Sequence, residues 1–566
     1  MKRTTIRAAL AIAPWLLAAC AAAAAPPIPE LVTRDGRHAL LVDGRPYLVL
    51  GAQTNNSSNY PAMLPKVWPA VERMHANTLV IPVAWEQVEP DEGRFDFSFV
   101  DTLIAEARER RVRLVLLWFA TWKNNSPSYA PEWVKLDNAR FPRVVTADGR
   151  TLNSLSPHSR QTLAADRKAF VALMEHLRAA DEERTVIMVQ VQNEVGTYGS
   201  ARDYSPAAEA LFREHVPAKL VADLALESGT WRAVFGADAD EFFHAWHIAR
   251  YCDEIAAAGK AAYPLPMYVN VALRHPRTPG EPGSYSSGGA TDNVIHIWKS
   301  GAPAIDMISP DIYFRDHETV TRVMDIYARP DNALYIAEIG NAQPFARYFF
   351  SALGRHGIGF APFGTDYSGY TNWPLGARRM DDETLAHFSR LYAVFAPMAR
   401  EWAKLAFEGR VWGVSEPLDT EPAPEIWGPA PEAEREAAEP RQQLDLGAWR
   451  AEVSYGRPMF GPAPPAGNDP ASGGAVIAEL GADEYLVIGA DVRVSFSPAE
   501  PLQGRQMIMA RVEEGRFDDG AWVFERVWNG DQTDWGLNFG GTPQVLRVKL
   551  ATYETASTDS ATRESD

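Results

Sequence analysis

The sequence predicts a (β/α)8 barrel followed by an all-β module, and three observations carry that expectation. Eight short, almost continuously apolar segments recur between about residues 47 and 361. Apolar runs without alternation mark strands buried on both faces, as in a parallel sheet. Helical spacing fills the intervals between them, and eight such units in this length fit a closed barrel. Beyond about residue 440 the texture changes to alternation punctuated by turn residues, the pattern of antiparallel β structure. A doubly wound sheet is the alternative for the first part, but no Gly-rich phosphate loop follows the first strand.

Tyr47-Leu48-Val49-Leu50, preceded by the β-rich Leu40-Leu41-Val42, runs into the polar stretch Gln53-Thr54-Asn55-Asn56. Pro65 to Met74 has helical spacing, and Thr78 to Val83 is a buried strand leading into Trp85-Glu86. Phe99, Val100, Leu103, Ile104 and Ala107 then share one helical face. The third strand, Val112 to Leu117, is followed by Trp118 and Trp122. An irregular segment covers 124–160, and loops of that length in compact domains are usually functional. After the helix Arg167 to Ala179 the fourth strand, Thr185 to Val191, enters Gln192-Asn193-Glu194. Met267 to Asn270, Ile305 to Ser309, Leu334 to Ala337 and Ile358 to Ala361 complete the eight, and a helix spans Asp382 to Leu405.

The expected organisation is a signal peptide over 1–25, the catalytic barrel over 30–410, a Pro/Glu-rich connection over 411–440, a β domain over 441–552 and a disordered tail over 553–566. The 566 residues are 46% apolar and 23% charged, a globular composition, with a net charge of −18. That surface repels phosphate backbones, so nucleic acid is excluded as a partner. The 17 Trp and 19 Tyr supply more aromatic faces than packing alone requires, and such faces stack on sugar rings. At the N-terminus Lys2, Arg3 and Arg7 precede the apolar run Ala8 to Leu17, the build of an export signal. Leu17-Ala18-Ala19-Cys20 resembles a bacterial lipobox, which would lipidate Cys20 and anchor the chain to a membrane; ordinary cleavage within Ala21 to Ala25 is the competing reading. Beyond it only Cys252 remains, in an apolar helical stretch, so neither an intrachain disulfide nor a cysteine-rich zinc site is available.

In a barrel of this kind chemistry sits where the strands end. Glu194 follows the fourth strand and Glu338 the seventh, each entering a Gly-containing turn. A single strand-end Glu is as readily a helix cap or an ion-pair partner. Two of them from different strands are what glycoside hydrolysis uses, one carboxyl protonating the leaving oxygen and the other attacking the anomeric carbon. No His/Asp/Glu cluster has metal-ligand spacing, no Gly-x-Ser-x-Gly elbow is present, and neither a cofactor nor a metal is implied.

Three segments resemble the retaining glycosidases of clan A, and within them glycoside hydrolase family 35, the β-galactosidases. They are Gln190-Val191-Gln192-Asn193-Glu194-Val195-Gly196-Thr197-Tyr198-Gly199 at strand four, Tyr335-Ile336-Ala337-Glu338 at strand seven, and Trp85-Glu86-Gln87-Val88-Glu89-Pro90-Asp91-Glu92-Gly93-Arg94-Phe95-Asp96-Phe97 after strand two. The resemblance covers about residues 35–375 and implies Glu194 as acid/base and Glu338 as nucleophile. Common members read Glu-Asn-Glu-Tyr-Gly at strand four, where this chain has Gln192 and Val195 in the flanking places, and the usual Ala-Glu-Trp is missing after strand three. The β module looks like the accessory domain of a bacterial subgroup, some of which trim galactose from xyloglucan side chains.

Around the pair, Asn193 is placed to bond the sugar 2-hydroxyl, and Tyr313 to donate to Glu338 and hold it ionised. Trp85, Trp122 and Phe363 are candidate sugar platforms, and Glu86, Asn55, Lys123, Asn124 and Asn270 candidate contacts to hydroxyls. The expectation is an exported retaining exo-β-galactosidase of the periplasm or outer membrane of a Gram-negative bacterium. The alternatives are another clan A activity, such as a β-glucosidase or endo-glycanase, and a non-catalytic carbohydrate-binding protein on the same scaffold.

Overall fold

The computed structural model describes residues 25–417, 441–456, 461, 466–518 and 520–555. The signal segment with Cys20, the connection from 418 on and the tail from 556 lie outside the described residues.

Eight parallel strands close a barrel in chain order: β1 (Val49–Gln53), β2 (Thr78–Ala84), β3 (Arg113–Lys123), β4 (Val186–Asn193), β5 (Met267–Ala272), β6 (Met307–Ile312), β7 (Tyr335–Ile339) and β8 (Gly359–Pro362), with β8 pairing back onto β1. The continuous apolar runs are explained by burial on both faces. Val49, Val80, Val115, Leu117, Met188, Tyr268, Met307 and Tyr335 fill the interior. The alternate residues, such as Leu79, Ile81, Leu116, Val189 and Ile308, face the helical ring. That ring contains α1 (Leu64–Arg73), α2 (Ser98–Arg110), α3 (Arg160–Ala180), α4 (Ala239–Ala262), α5 (Ile295–Gly301), α6 (His317–Tyr327), α7 (Tyr348–Leu353) and α8 (Asp382–Phe395), followed by α9 (Ala399–Glu408). Cys252 is fully buried on α4, as its apolar neighbours suggest. The segment 124–160 is more ordered than its composition indicates. It holds a helical turn, Glu132–Lys135, and a two-stranded hairpin, Arg143–Val145 with Thr151–Leu155.

Helix α3 begins at Arg160, seven residues before the expected Arg167, because Ser159 caps it by accepting the Thr162 N–H. The expected helix over 382–405 is two helices, α8 and α9, separated by a short 3-10 turn containing Pro397.

The second domain is two packed antiparallel sheets. Its strands are β9 (Val411–Ser415), β10 (Arg441–Asp445), β11 (Trp449–Tyr455), β12 (Gly474–Gly481), β13 (Glu484–Ala490), β14 (Val492–Pro498), β15 (Arg505–Asp518), β16 (Ala521–Val527), β17 (Leu537–Phe539) and β18 (Gln544–Glu554). Six form one sheet in the order β9-β12-β13-β18-β15-β16, and four form the other, β10-β11-β14-β17. Two boundaries differ from the expected ones. Residues 411–415, assigned to the connection, pair with β12, and β18 continues to Glu554 across the expected boundary at 552. In β12 and β13 the side chains of Ala475, Ile477, Tyr485 and Val487 pack between the two sheets, while Val476, Ala478, Leu486 and Ile488 pack toward the barrel. These two strands of the larger sheet are therefore covered on both faces.

The junction is close-packed and polar at its centre. A Cβ on Gly354, just after α7, would come within 2.0 Å of the Gly413 nitrogen of β9, so the two backbones approach as only glycines allow. Glu416 is fully buried, and its carboxylate accepts from the Asn468 N–H (2.6 Å), the Asn468 amide (2.9 Å), the Ser472 N–H (2.9 Å) and the Gly473 N–H (3.0 Å). Its backbone oxygen accepts from the buried Arg347 guanidinium at 3.0 Å. Glu416→Ala would strand those donors, and unsatisfied buried groups cost about 1–3 kcal/mol each. The expected outcome in urea unfolding is a loss of about 3 kcal/mol or more, with Glu416→Gln losing less; a loss under about 1 kcal/mol would contradict the role of this carboxylate.

Candidate active site

Glu338 lies near the carboxyl-terminal end of β7, in register beside Asp311 of β6. The β7–β8 pairing is irregular between Ile336 and Ile339, so the strict alternation of the strand is broken where Glu338 enters the site. Its carboxylate accepts from the Gln53 amide of β1 at 2.9 Å and from the Tyr313 hydroxyl at 2.7 Å. These two donors fix the orientation of the carboxylate.

Glu194 follows β4 directly and has a left-handed backbone, φ 45°, two residues after Gln192 at φ 64°. Such positions cost about 1–2 kcal/mol for residues with side chains and tend to mark functional sites. The turn is held from both sides. The Glu194 N–H donates to Asn270 Oδ1 at 2.8 Å, and the Glu194 carbonyl accepts from Asn125 Nδ2 at 2.7 Å. Lys123 Nζ stands 3.8 Å from the Glu194 carboxylate. Burial pushes the Glu194 carboxyl up to about 7, with the Lys123 charge opposing the rise and the Glu338 charge adding to it. This carboxyl therefore holds its proton to higher pH than an ordinary glutamate does.

Both carboxyls line one cavity of about 200 Å³, together with Lys123, Tyr198, Asp311 and Tyr313. Asp311 is a third acid, which sequence reading missed. Its Oδ2 accepts from Asn270 Nδ2 at 2.7 Å, so Asn270 links it to the Glu194 backbone. Burial raises its carboxyl well above the usual range, and the Glu338 and Glu194 charges raise it further. The signal was hidden by Pro310: the sixth apolar run stops before it, whereas the strand continues to Ile312.

The expected residues divide clearly. Glu194, Glu338, Tyr313, Lys123, Asn124 and Phe363 meet at the cavity. Asn270 supports it from behind, and Asn193 is fully buried outside the cavity lining with both side-chain polar atoms unpartnered. The other four are elsewhere. Trp85 is fully buried, donates to Glu89 at 3.0 Å and packs edge-on against Trp133, so it is core. Trp122 donates to the Leu155 carbonyl and packs on Tyr251, also in the core. Glu86 pairs with Lys135 at 2.7 Å, outside the cavity lining. Asn55 is consumed by Asp366, to which its N–H and side-chain amide both donate. The missed contributors besides Asp311 are Gln53, Asn125 and Tyr198. Gln53 was visible in the polar run ending the first strand; Asn125 and Tyr198 sit in loops whose course no periodicity reveals.

A family model for glycoside hydrolase family 42, described as β-galactosidase, matches residues 68–244, spanning β2 to β4 and Glu194. A model described as a domain of unknown function, DUF5597, matches residues 388–540. No curated protein matches the sequence. Among solved structures, the β-galactosidase from Bacillus circulans sp. alkalophilus is 12% identical with a TM-score of 0.46, over 64% of this chain and 61% of that one. The β-galactosidase from the psychrophilic Marinomonas ef1 is also 12% identical, TM-score 0.46, over 64% and 62%. That from Rahnella sp. R3 is 15% identical, TM-score 0.43, over 64% and 60%. The chain thus spans about three fifths of the β-galactosidases it matches. The family match supports a glycoside hydrolase enzyme. The matched model is that of family 42, and the expected assignment to family 35 is not supported.

Because the Lys123 charge holds the Glu194 carboxyl down, Lys123→Met should move its titration above about 7. Carboxyl-carbon NMR of Glu194 checks this, and a midpoint that stays or falls would refute the assigned electrostatics.

Proposed function

We propose that the protein is a retaining exo-β-galactosidase that removes terminal β-galactosyl residues from oligosaccharides by double displacement. One observation carries the reading: two strand-end carboxyls face a single cavity, with Glu194 pushed up to about 7 and Glu338 held by two donors. Glu338 attacks the anomeric carbon while Glu194 gives its proton to the glycosidic oxygen, and the first sugar departs as an alcohol. Glu338 is then esterified and neutral, so Glu194 loses the neighbouring charge that raised it and can take a proton from water. That water attacks the glycosyl ester from the face the aglycone left, and configuration is retained. Asn193, buried with no internal partner, is suited to the sugar 2-hydroxyl, a contact that strengthens as the oxocarbenium ion forms. The small cavity suits one terminal unit, which favours exo over endo action.

Galactose as the sugar is supported by the matched family's description, with glucose the second reading. Removal of galactose from xyloglucan side chains, in the periplasm or at the outer membrane after export, is part of the same proposal. It rests on the basic and apolar N-terminal residues and the accessory-domain resemblance.

Retention requires the two carboxyls about 5–5.5 Å apart, and a gap of about 8 Å or more would indicate inversion. Glu338→Gln should lose turnover of every substrate. Glu194→Ala should keep far more activity on a nitrophenyl galactoside, whose leaving group needs little protonation, and azide should restore its rate; equal losses without rescue would void the assignment. Protonated Glu194 is required, so kcat/KM should fall as pH rises through about 7. A profile flat from about pH 4 to 9 would contradict the acid/base role. Cys20→Ser should release the protein from membranes if Cys20 is lipidated. An unchanged soluble distribution would favour ordinary cleavage near Ala25.

A further inference from the structure

A cavity of about 200 Å³ is smaller than the ~300–1,000 Å³ that encloses a drug-sized ligand, and one sugar ring fills it. Whatever that ring is attached to must lie across the mouth. Six large apolar side chains of the barrel are exposed among the described residues, and four of them are aromatic: Tyr60 (43%), Tyr198 (43%), Tyr370 (60%) and Trp373 (44%). Isolated exposed hydrophobics need no explanation. Here, however, all four aromatics stand on loops leaving β1, β4 and β8, on the face that carries Glu194 and Glu338.

These rings are held in place. Tyr198 itself lines the cavity, and Asn372 and Leu375 on either side of Trp373 do so too. The loop that bears Tyr370 and Trp373 is tied to three strand ends. Asp366 accepts twice from Asn55, Arg315 donates to the Pro374 carbonyl at 3.1 Å, and Asn341 accepts the Ala377 N–H at 2.7 Å. The Arg378 guanidinium lies 3.7 Å over the Trp373 ring, covering one face and fixing its orientation. The loop that bears Tyr60 is tied as well, through a 2.8 Å hydrogen bond between the Ser57 and Tyr129 hydroxyls.

We propose that Tyr198, Tyr370 and Trp373, with Tyr60 beside them, form the aglycone subsites, stacking platforms for the further sugars of a glycan whose terminal unit enters the cavity. This rests on the glycosidase reading and adds the side chains that would hold the leaving part of an oligosaccharide, which an alkyl or simple aryl glycoside would not engage. Aromatic faces carry the negative side of the ring quadrupole and suit the C–H face of a pyranose. The cavity's lining amides Asn56, Asn124 and Asn372 offer donors and acceptors that hydroxyl groups can use and an alkyl chain cannot.

The test compares galactosyl fluoride, which has no aglycone, with a galactose-terminated xyloglucan oligosaccharide. In Tyr370→Ala and Trp373→Ala the ratio of kcat/KM for the oligosaccharide to that for the fluoride should fall tenfold or more, mainly through KM. An unchanged ratio overturns the proposal. If the unmodified protein turns over no glycosyl fluoride, the glycosidase reading has failed separately. Calorimetric titration of the oligosaccharide then decides the subsites: affinity lost in the variants supports them, and equal or undetectable affinity in all forms overturns them.

Discussion

The site depends on how one buried carboxylate is held in place. Glu338 is fixed inside the barrel because Gln53 and Tyr313 both donate to its carboxylate. These donors come from β1 and from just beyond β6, on either side of β7, and β1 reaches Glu338 only because β8 closes back onto it. The charge of Glu338 then acts on its neighbours. Burial raises both Glu194 and Asp311, and the Glu338 charge pushes each of them further up. The three acids of the cavity are therefore coupled to one another, and the local structure sets where they sit.

The β domain enters this arrangement through the chain that follows β7. Residues past Glu338 lead through Asn341, which braces the loop after β8, to Arg347, which reaches the buried Glu416 at the domain junction. The Gln343 amide also donates to Ala471 of the β domain, at 3.2 Å. With one face of β12 and β13 against the barrel and the other under the second sheet, the module is continuous with the scaffold that positions the site.

Much of this was legible in the sequence because burial on both faces leaves an unmistakable pattern. All eight barrel strands were marked by unbroken apolar runs, and Glu194 and Glu338 stood out as carboxylates ending such runs. Tyr313 as a donor to Glu338 was legible for the same reason, from its place after a strand. What failed was anything that depended on which way a side chain turns. Trp85 and Trp122 follow strands as Phe363 does, yet they point into the helical layer. Gln192, left-handed, turns outward to bond Asp166 at 2.7 Å and to accept the Trp122 N–H, a reversal that no residue spacing announces. In the β domain, β10 is polar and largely exposed, and β15 is long and half-exposed, so neither carries the alternation that reveals a strand.

The central claim is that Glu338 bonds covalently to the sugar while Glu194 moves the proton. Its most direct test is mass spectrometry after incubation with a 2-deoxy-2-fluoro-β-galactosyl fluoride, whose glycosyl-enzyme forms and turns over slowly. A mass increase of one fluorogalactosyl group, located by digestion on the peptide and side chain of Glu338, is the expected result. A label on Glu194 or Asp311, or hydrolysis of substrate with no covalent species in the inactivated enzyme, would contradict it.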